Sequence, residues 1–229
     1  MKVVNLKYNP EKVFTILYFL TAMLEIIAEF YGNKPILFIV KPLVSIFLVL
    51  LYWIASTQRN ILFFITIAFL LIVKLCRIYI SEELLLTGMA VFFLHRLILI
   101  YYISKLIHLQ DYFPLFIATI PFLFFFFYLL SITSDIKPII YVGLMIQCFL
   151  MSIVAGITLS HYVMNDRKEV WLLIFGLLSI VQYFIIFIDN FYLVDSSPSV
   201  LRKLGVLLTV FATYAFYQFV ITTERKLIQ

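Results

Sequence analysis

Long apolar runs without a charged residue are the feature that most constrains how this chain can fold. Residues 61–73 and 113–130 are two examples. In lipid the backbone must satisfy its own hydrogen bonds, which leaves only helices and closed barrels as spanning structures. Barrel strands alternate in polarity, whereas these runs do not. They therefore predict transmembrane α-helices.

The composition agrees with this interpretation. Hydrophobic residues make up 65% of the chain and charged residues 13%, with a mean hydropathy of +1.11. A soluble domain carries about 45–50% apolar and about 25% charged residues. A soluble fold of 229 residues cannot bury this much apolar surface, so lipid must cover much of it.

Eight segments have the roughly 20 apolar residues that a spanning helix needs. We predict helices over about 13–31, 35–55, 61–80, 84–106, 113–132, 136–159, 169–193 and 200–222. The first segment lacks a small-x-small cleavage site and is expected to be retained. The fold class is therefore all-α: residues 1–229 form a single transmembrane domain, a polytopic helical bundle.

Basic residues in the loops and chain ends predict the orientation. Nine lie on the side of the termini and four on the other, which predicts that both termini are cytoplasmic. The nine are Lys2, Lys7, Lys12, Arg59, Lys105, Arg167, Lys168, Arg225 and Lys226; the four are Lys34, Lys137, Arg202 and Lys203. Topology thus explains the net charge of +5, and no nucleic-acid partner is expected.

Ionisable residues inside the membrane are the candidates for chemistry, because each costs roughly 2.5–3.5 kcal/mol to insert. Those within the predicted helices are Glu25, Glu29, Lys41, Lys74, Arg77, His95, Arg96 and Asp189. We expect Lys74 and Arg77 to snorkel towards the interface or to contact phosphates. Cys76 and Cys148 show no metal-binding spacing. The chain also lacks the familiar hydrolase and phosphate-loop motifs, so no metal and no cofactor are predicted.

Three acids and one lysine form the first group of candidates. Asp189 follows the apolar run 184–188, and a carboxyl in such surroundings can donate a proton; alternatively it is a helix-end carboxylate paired with a cation or near head groups. Glu25 and Glu29 are spaced i, i+4 on one helix face. They either line an acidic cavity or, in the case of Glu25, pair with a buried cation. Lys41 is expected to pair with Asp189 or Glu29, or to bind phosphate.

Two polar pairs form the second group. His95 and Arg96 lie in the middle of the fourth predicted helix. As neighbours they point in different directions, so we expect at most one of them to face a given site. Tyr214 and Gln218 form a polar stripe on the last helix, which either bonds to other helices or lines a cavity.

Four motifs occur in an order that resembles the YhhN-like family, the bacterial and animal lysoplasmalogenases. Lys41-Pro-Leu43 is similar to the family's Lys-Pro-Leu in the second helix. The segment Gly88–Arg96 resembles its Gly-x-x-Ala-Phe-x-x-x-His segment, and Thr213–Gln218 resembles its Thr-Tyr-Tyr-x-Ala-Gln run. Asp189, followed by Leu193, stands where the family has Ser-Asp-x-x-Leu. The resemblance extends over nearly the whole chain.

The sequence departs from the family pattern at two places. Ile188 replaces the serine before Asp189. The third helix, which carries a Gly-Asp in the family, reads Val73-Lys-Leu-Cys-Arg-Ile78 and has no acid. Glu25 or Glu29 could replace the missing acid, but only if the first helix packs against the seventh.

The resemblance implies a hydrolase that cleaves the vinyl-ether bond of lysoplasmalogens by intramembrane acid/base catalysis. It implies Asp189, with Glu25 or Glu29, as catalytic residues. The substrate-binding residues would be Lys41, His95, Arg96, Tyr214 and Gln218, and the partner a lysophospholipid-like membrane lipid. The expected location is the bacterial inner (plasma) membrane. Two alternatives stay open. One is a catalytically silent lipid-binding relative, which the lost acid would favour, and the other is a small membrane transporter, in which the buried charges would form a pathway.

Overall fold

The computed structural model describes residues 10–79, 81–107, 112–133, 136–165, 170–191 and 200–228. Within these ranges the chain forms eight α-helices and no strand, which confirms the all-α class. The helices are α1 (Pro10–Phe30), α2 (Lys34–Ala55), α3 (Ile61–Cys76), α4 (Glu82–Ile107), α5 (Tyr112–Ser131), α6 (Pro138–Met164), α7 (Val170–Phe191) and α8 (Val200–Ile228).

Each predicted segment contains one helix, but the ends differ. The third was predicted to reach residue 80, yet α3 ends at Cys76, where Arg77 caps it and the Ile78 amide bonds to the Leu75 carbonyl at 3.1 Å. Its 16 residues span about 24 Å, less than the roughly 30 Å hydrocarbon core. The other seven are long and apolar enough to cross a bilayer. The predicted end of the seventh helix, residues 192 and 193, lies outside the described residues.

The last helix is longer than predicted. The predicted end lay near residue 222, but α8 continues through Thr222, Thr223 and Glu224 to Ile228. The two threonine hydroxyls donate to backbone carbonyls one turn back. Glu224 is buried against α2 rather than exposed. These polar residues therefore lie inside α8, and Glu224 lies at a contact between two helices.

Seven helices form a ring. In the described part of the chain α1 packs on α2, α2 on α3 and α3 on α4; the ring continues through α6, α7 and α8 and closes where α8 meets α1. Within the ring, the Phe216 ring of α8 stacks with Phe63 of α3 at 5.9 Å and meets Tyr102 of α4 at 6.0 Å. α5 lies outside, packed along α6.

The outer surface is apolar. On α5, Phe113, Phe116 and Phe124 are 75%, 66% and 76% exposed. Exposing this apolar surface to water would cost about 25 cal/mol per Å², whereas exposing it to lipid carries no such cost. Together with the seven long apolar helices, it makes the chain an integral membrane protein.

Small residues let α5 and α6 approach closely. A Cβ atom on Gly156 would lie 3.0 Å from the Cβ and 3.1 Å from the Cα of Thr119. We expect Gly156→Ala to lower the free energy of unfolding by about 1–3 kcal/mol through overpacking, measured by unfolding in a denaturing detergent. Gly205→Ala is the matched control, since its new Cβ would meet nothing closer than 3.5 Å. Equal effects of the two substitutions would contradict this account.

The two ends of the bundle have different polar contacts. At the end where α1 begins and α8 ends, the termini end, Glu224 is only 2% exposed. Its two carboxylate oxygens accept hydrogen bonds from the Tyr52 and Ser56 hydroxyls, both at 2.6 Å. The Asn60 amide in turn donates to the Tyr52 hydroxyl at 2.8 Å. Glu224 thus joins α8 to the α2–α3 turn.

We expect Glu224→Ala to destabilise the protein by about 3 kcal/mol, because it leaves two buried hydroxyls without acceptors. The free energy of unfolding in mixed detergent micelles measures it. Glu11→Ala, which removes a partly exposed ion pair with Arg225 at the same end, should cost less than about 1 kcal/mol. A loss at Glu224 no larger than that of the control would show that the buried contact contributes little.

Candidate functional site

Seven charged residues gather at the opposite end of the bundle. We call them the ionic cluster: Glu25 and Glu29 on α1, Lys41 on α2, Lys74 on α3, Arg77 just after α3, Asp189 on α7 and Arg202 on α8. They meet because α1, α3 and α7 end here, whereas α2 and α8 begin here. Successive helices run in opposite directions, so residues far apart in sequence reach one level.

Glu29 is the centre of the ionic cluster. Its Oε2 atom lies 3.5 Å from Lys41 Nζ, and its Oε1 atom accepts a hydrogen bond from Arg202 Nε. Arg202 Nη2 also donates to the Arg77 carbonyl at 2.8 Å. Glu29 and Lys41 are 5% and 3% exposed. The predicted Lys41 pairing is thus made with Glu29, between α1 and α2, and the contact of Glu29 with Arg202 adds α8.

Glu25 makes the second buried ion pair. Lys74 Nζ donates to Glu25 Oε2 at 3.1 Å. Lys41 Nζ lies 3.4 Å from the Lys74 carbonyl, so the two pairs are connected. Glu25 is 1% exposed. Of the two interpretations of Glu25, the contact with a buried cation is the one observed; Lys74 points inward to it and is not a snorkelling residue.

Asp189 belongs to the ionic cluster through Arg77. The carboxylate is half-buried and acts electrostatically on the Arg77 guanidinium. α1 and α7 both pack on α8, but they are not among the helix pairs with substantial contact in the described ranges, so the expected packing of the first helix against the seventh is not observed. Arg202 links Glu29 to the Arg77 carbonyl. Among the described residues the cluster holds four cationic and three anionic side chains, so it retains one positive charge.

Two carboxylate oxygens in the ionic cluster lack a hydrogen-bond donor. Glu25 Oε1 and Glu29 Oε2 are buried, and neither accepts a hydrogen bond from any described residue. Buried acceptors of this kind are rare and costly. Glu25 Oε1 is therefore available to a water molecule or to a protonated group of a ligand, whereas Glu29 Oε2 remains in ionic contact with Lys41 Nζ at 3.5 Å.

His95 and Arg96 lie elsewhere, on an inner cavity of about 30 Å³ between α3, α4, α7 and α8. The expectation that at most one of them faces a given site is wrong, because both line this cavity. The reason is their spacing from Phe92, i+3 and i+4, which puts both on its helix face. The His95 ring stacks on Phe92 at 5.7 Å, and Arg96 Cζ lies 4.5 Å from the same ring.

Tyr214 and Gln218 bond to each other rather than to the ionic cluster. Gln218 Nε2 donates to the Tyr214 hydroxyl at 2.8 Å, and the Tyr214 ring packs on Phe19 at 4.9 Å. Along α8, Tyr214 lies about 18 Å and Gln218 about 24 Å from Arg202. The bundle does not bring this pair to the acids, and its substrate-binding role stays a prediction.

Sequence reasoning missed Arg202 and most of the inner cavity. Arg202 was counted as a loop charge, although it falls inside the predicted last helix. The seven-residue spacings Gln182–Asp189 and Arg202–Thr209 were an available signal, because seven residues are two turns on one face. The Gln182 amide donates to the Thr209 hydroxyl at 2.8 Å. Polar side chains on α7 and α8 therefore occur both in the ionic cluster and, two turns away, at the inner cavity.

In comparisons with known proteins, no family model, no curated protein and no solved structure matches this chain. The resemblance to the YhhN-like family therefore rests on its motifs and stays a prediction. Across the described ranges no group of three or more His, Cys, Asp or Glu side chains could hold a metal ion. Any chemistry proposed for the site must be compatible with carboxylates, lysines and arginines.

Proposed function

We propose that the protein is a lysoplasmalogenase-type hydrolase that cleaves the vinyl-ether bond of a lysophospholipid-like membrane lipid. The observation that carries the proposal is the convergence of Glu25, Glu29 and Asp189 with buried cations in one cluster. Carboxyl groups are the side chains that acid-catalysed ether hydrolysis requires. The order of the YhhN-like motifs supports the same assignment.

The chemistry needs one acid and one base. A carboxylic acid protonates the vinyl ether on carbon and creates an oxocarbenium-like cation, to which water adds; the hemiacetal then collapses to a fatty aldehyde and a glycerophospho-alcohol. We assign the proton transfer to Asp189. Glu29 or Glu25, each with an oxygen that accepts no hydrogen bond from a described residue, positions the water and stabilises the cation.

The excess positive charge suits a phosphate group. Lys41 and Arg202 contact Glu29, Arg77 interacts with Asp189, and arginine binds phosphate oxygens in a bidentate manner. With both termini in the cytoplasm, as the basic residues predict, the ionic cluster would lie at the outer face of a bacterial inner membrane. The head group would then be bound from that leaflet.

The direct test is product formation. Purified protein in detergent is incubated with a lysoplasmalogen and, separately, with an ester-linked lysophospholipid of the same chain length. We expect fatty aldehyde from the first substrate and no fatty acid from the second. Absence of aldehyde from protein that is folded by circular dichroism would reject the hydrolase.

A silent lipid-binding relative is the second candidate, and one contact favours it. Lys74 stands in the segment where the family carries its Gly-Asp, and it neutralises Glu25. An acid held in an ion pair is a poor proton donor. This candidate predicts that lysophospholipid binds to the protein with a measurable dissociation constant but is recovered intact.

A further inference from the structure

The inner cavity is a second polar site, separate from the ionic cluster. The hydroxyl and amide side chains around it are Thr66, Ser179, Gln182, Thr209 and Thr213. It lies about 10 Å along α7 and α8 from Asp189 and Arg202, the distance covered by seven helical residues. No carboxylate is among its lining residues.

Arg96 is the unexplained charge of this cavity. It is 3% exposed, and within the described ranges it makes no ion pair and no hydrogen bond. Its Nε atom and the Nδ1 atom of its neighbour His95 are both buried without partners. Burying an unpaired charge is costly, and the contact with the Phe92 face supplies a cation–π attraction but no negative charge. Arg96 therefore lacks a counter-ion among the described residues.

The cavity walls supply further donors. The Ser179 side chain is 1% exposed and lines the cavity, so its hydroxyl can donate to a ligand there. The Thr66 and Thr213 hydroxyls donate to carbonyls of their own helices. Arg96 and Ser179 are therefore the donors that a ligand would meet, on facing helices α4 and α7.

The volume restricts what can bind. A cavity of about 30 Å³ exceeds the roughly 10–15 Å³ that a single water molecule needs, so it has room for one or two water molecules or for a small ion. Phosphate, sulfate and the carboxylate end of a lipid are larger, whereas a halide ion is close to water in size. Water would satisfy the hydrogen bonds but not the charge.

We propose that the inner cavity binds one halide ion, chloride under physiological conditions, between Arg96 and Ser179. The ion supplies the missing negative charge in the interior of the helix ring. This site is independent of the proposed hydrolase activity, because it shares no residue with the ionic cluster.

The test is anion-dependent stability. Purified protein in gluconate buffer is titrated with chloride, bromide or sulfate at constant ionic strength, and unfolding is followed with a thiol-reactive dye. Cys148, 1% exposed, reports it. At halide concentrations about 100 times the dissociation constant we expect the midpoint to rise by about 5 °C. Sulfate should have no comparable effect.

Substitutions separate a halide from a bound water. Arg96→Gln should abolish the halide response and, in halide-free buffer, unfold at the same or a higher temperature than the wild type, since the buried charge is gone. Arg59→Gln, which removes an exposed cation stacked on Trp53, and Asp189→Asn should keep the full response. Ser179→Ala, which preserves the packing, should weaken halide affinity several-fold if Arg96→Gln does not fold.

Two results would overturn the proposal. One is a halide response that persists unchanged in Arg96→Gln or Ser179→Ala. The other is a bromide-soaked crystal with no anomalous peak beside Arg96, which would mean that the cavity holds water only. A failure of the hydrolase assay would leave both measurements unaffected.

Discussion

Asp189→Asn is expected to reduce aldehyde release from lysoplasmalogen by about 10²–10⁴-fold, the usual contribution of a positioned general acid. Asparagine keeps the size and the hydrogen-bonding capacity of the side chain but cannot transfer a proton. The interaction with Arg77 loses its charge, so substrate affinity and turnover must be measured separately. We expect the turnover number to fall far more than the Michaelis constant changes.

Glu83→Gln is the matched control for Asp189→Asn. Glu83 is an exposed acid at the same end of the bundle, on the first turn of α4, and its loss should leave turnover within about two-fold, in line with a solvated surface charge. Full activity of Asp189→Asn would remove Asp189 from the mechanism. A pH–rate profile that loses its alkaline limb, where a general acid becomes deprotonated, only in the Asp189 variant would support the proton-transfer role.

Glu25→Met is expected to lower the free energy of unfolding by about 3–5 kcal/mol, because it leaves the Lys74 ammonium buried without its partner. The Lys74 side chain is 11% exposed and that of Glu25 1%, so water replaces little of the lost contact. Unfolding in a denaturing detergent, followed by circular dichroism, measures the loss.

The double variant Glu25→Met/Lys74→Met should recover most of this loss, because two apolar side chains of similar volume can replace a buried pair. The control is the exposed pair Lys137–Glu82, 2.5 Å apart with side chains 61% and 49% exposed. Removing Glu82 should change stability by less than about 1 kcal/mol. A double variant as unstable as Glu25→Met would show that the pair does more than neutralise charge.

The helices could be predicted from the sequence because their signal is local. A run of about 20 apolar residues can be recognised as a spanning helix without information about the rest of the chain. The ends were harder to place. Arg77 is a C-cap and Glu224 is buried by contact with α2, and both facts depend on neighbours that hydropathy does not describe.

The site was only partly predictable, for the same reason. The free-energy cost of placing an ionisable residue in the membrane identified Glu25, Glu29, Lys41 and Asp189 as unusual, and all four belong to the ionic cluster. Their pairing depends on which helices adjoin in the ring, and no periodicity encodes that. Arg202 lies near the start of a helix, where inserting a charged residue costs little free energy. Its contact with Glu29 therefore could not be inferred from the sequence.

The contact between α1 and α8 also constrains biosynthesis. Glu29 and Arg202 are 173 positions apart, and the Tyr18 hydroxyl bonds to the Val210 carbonyl across 192 positions. Helices leave the ribosome in order, so Glu29 enters the bilayer long before its arginine has been made. The nascent bundle therefore holds Glu29 without its arginine until α8 has been made. The ring cannot close before that point, so a chain that stalls earlier would remain open.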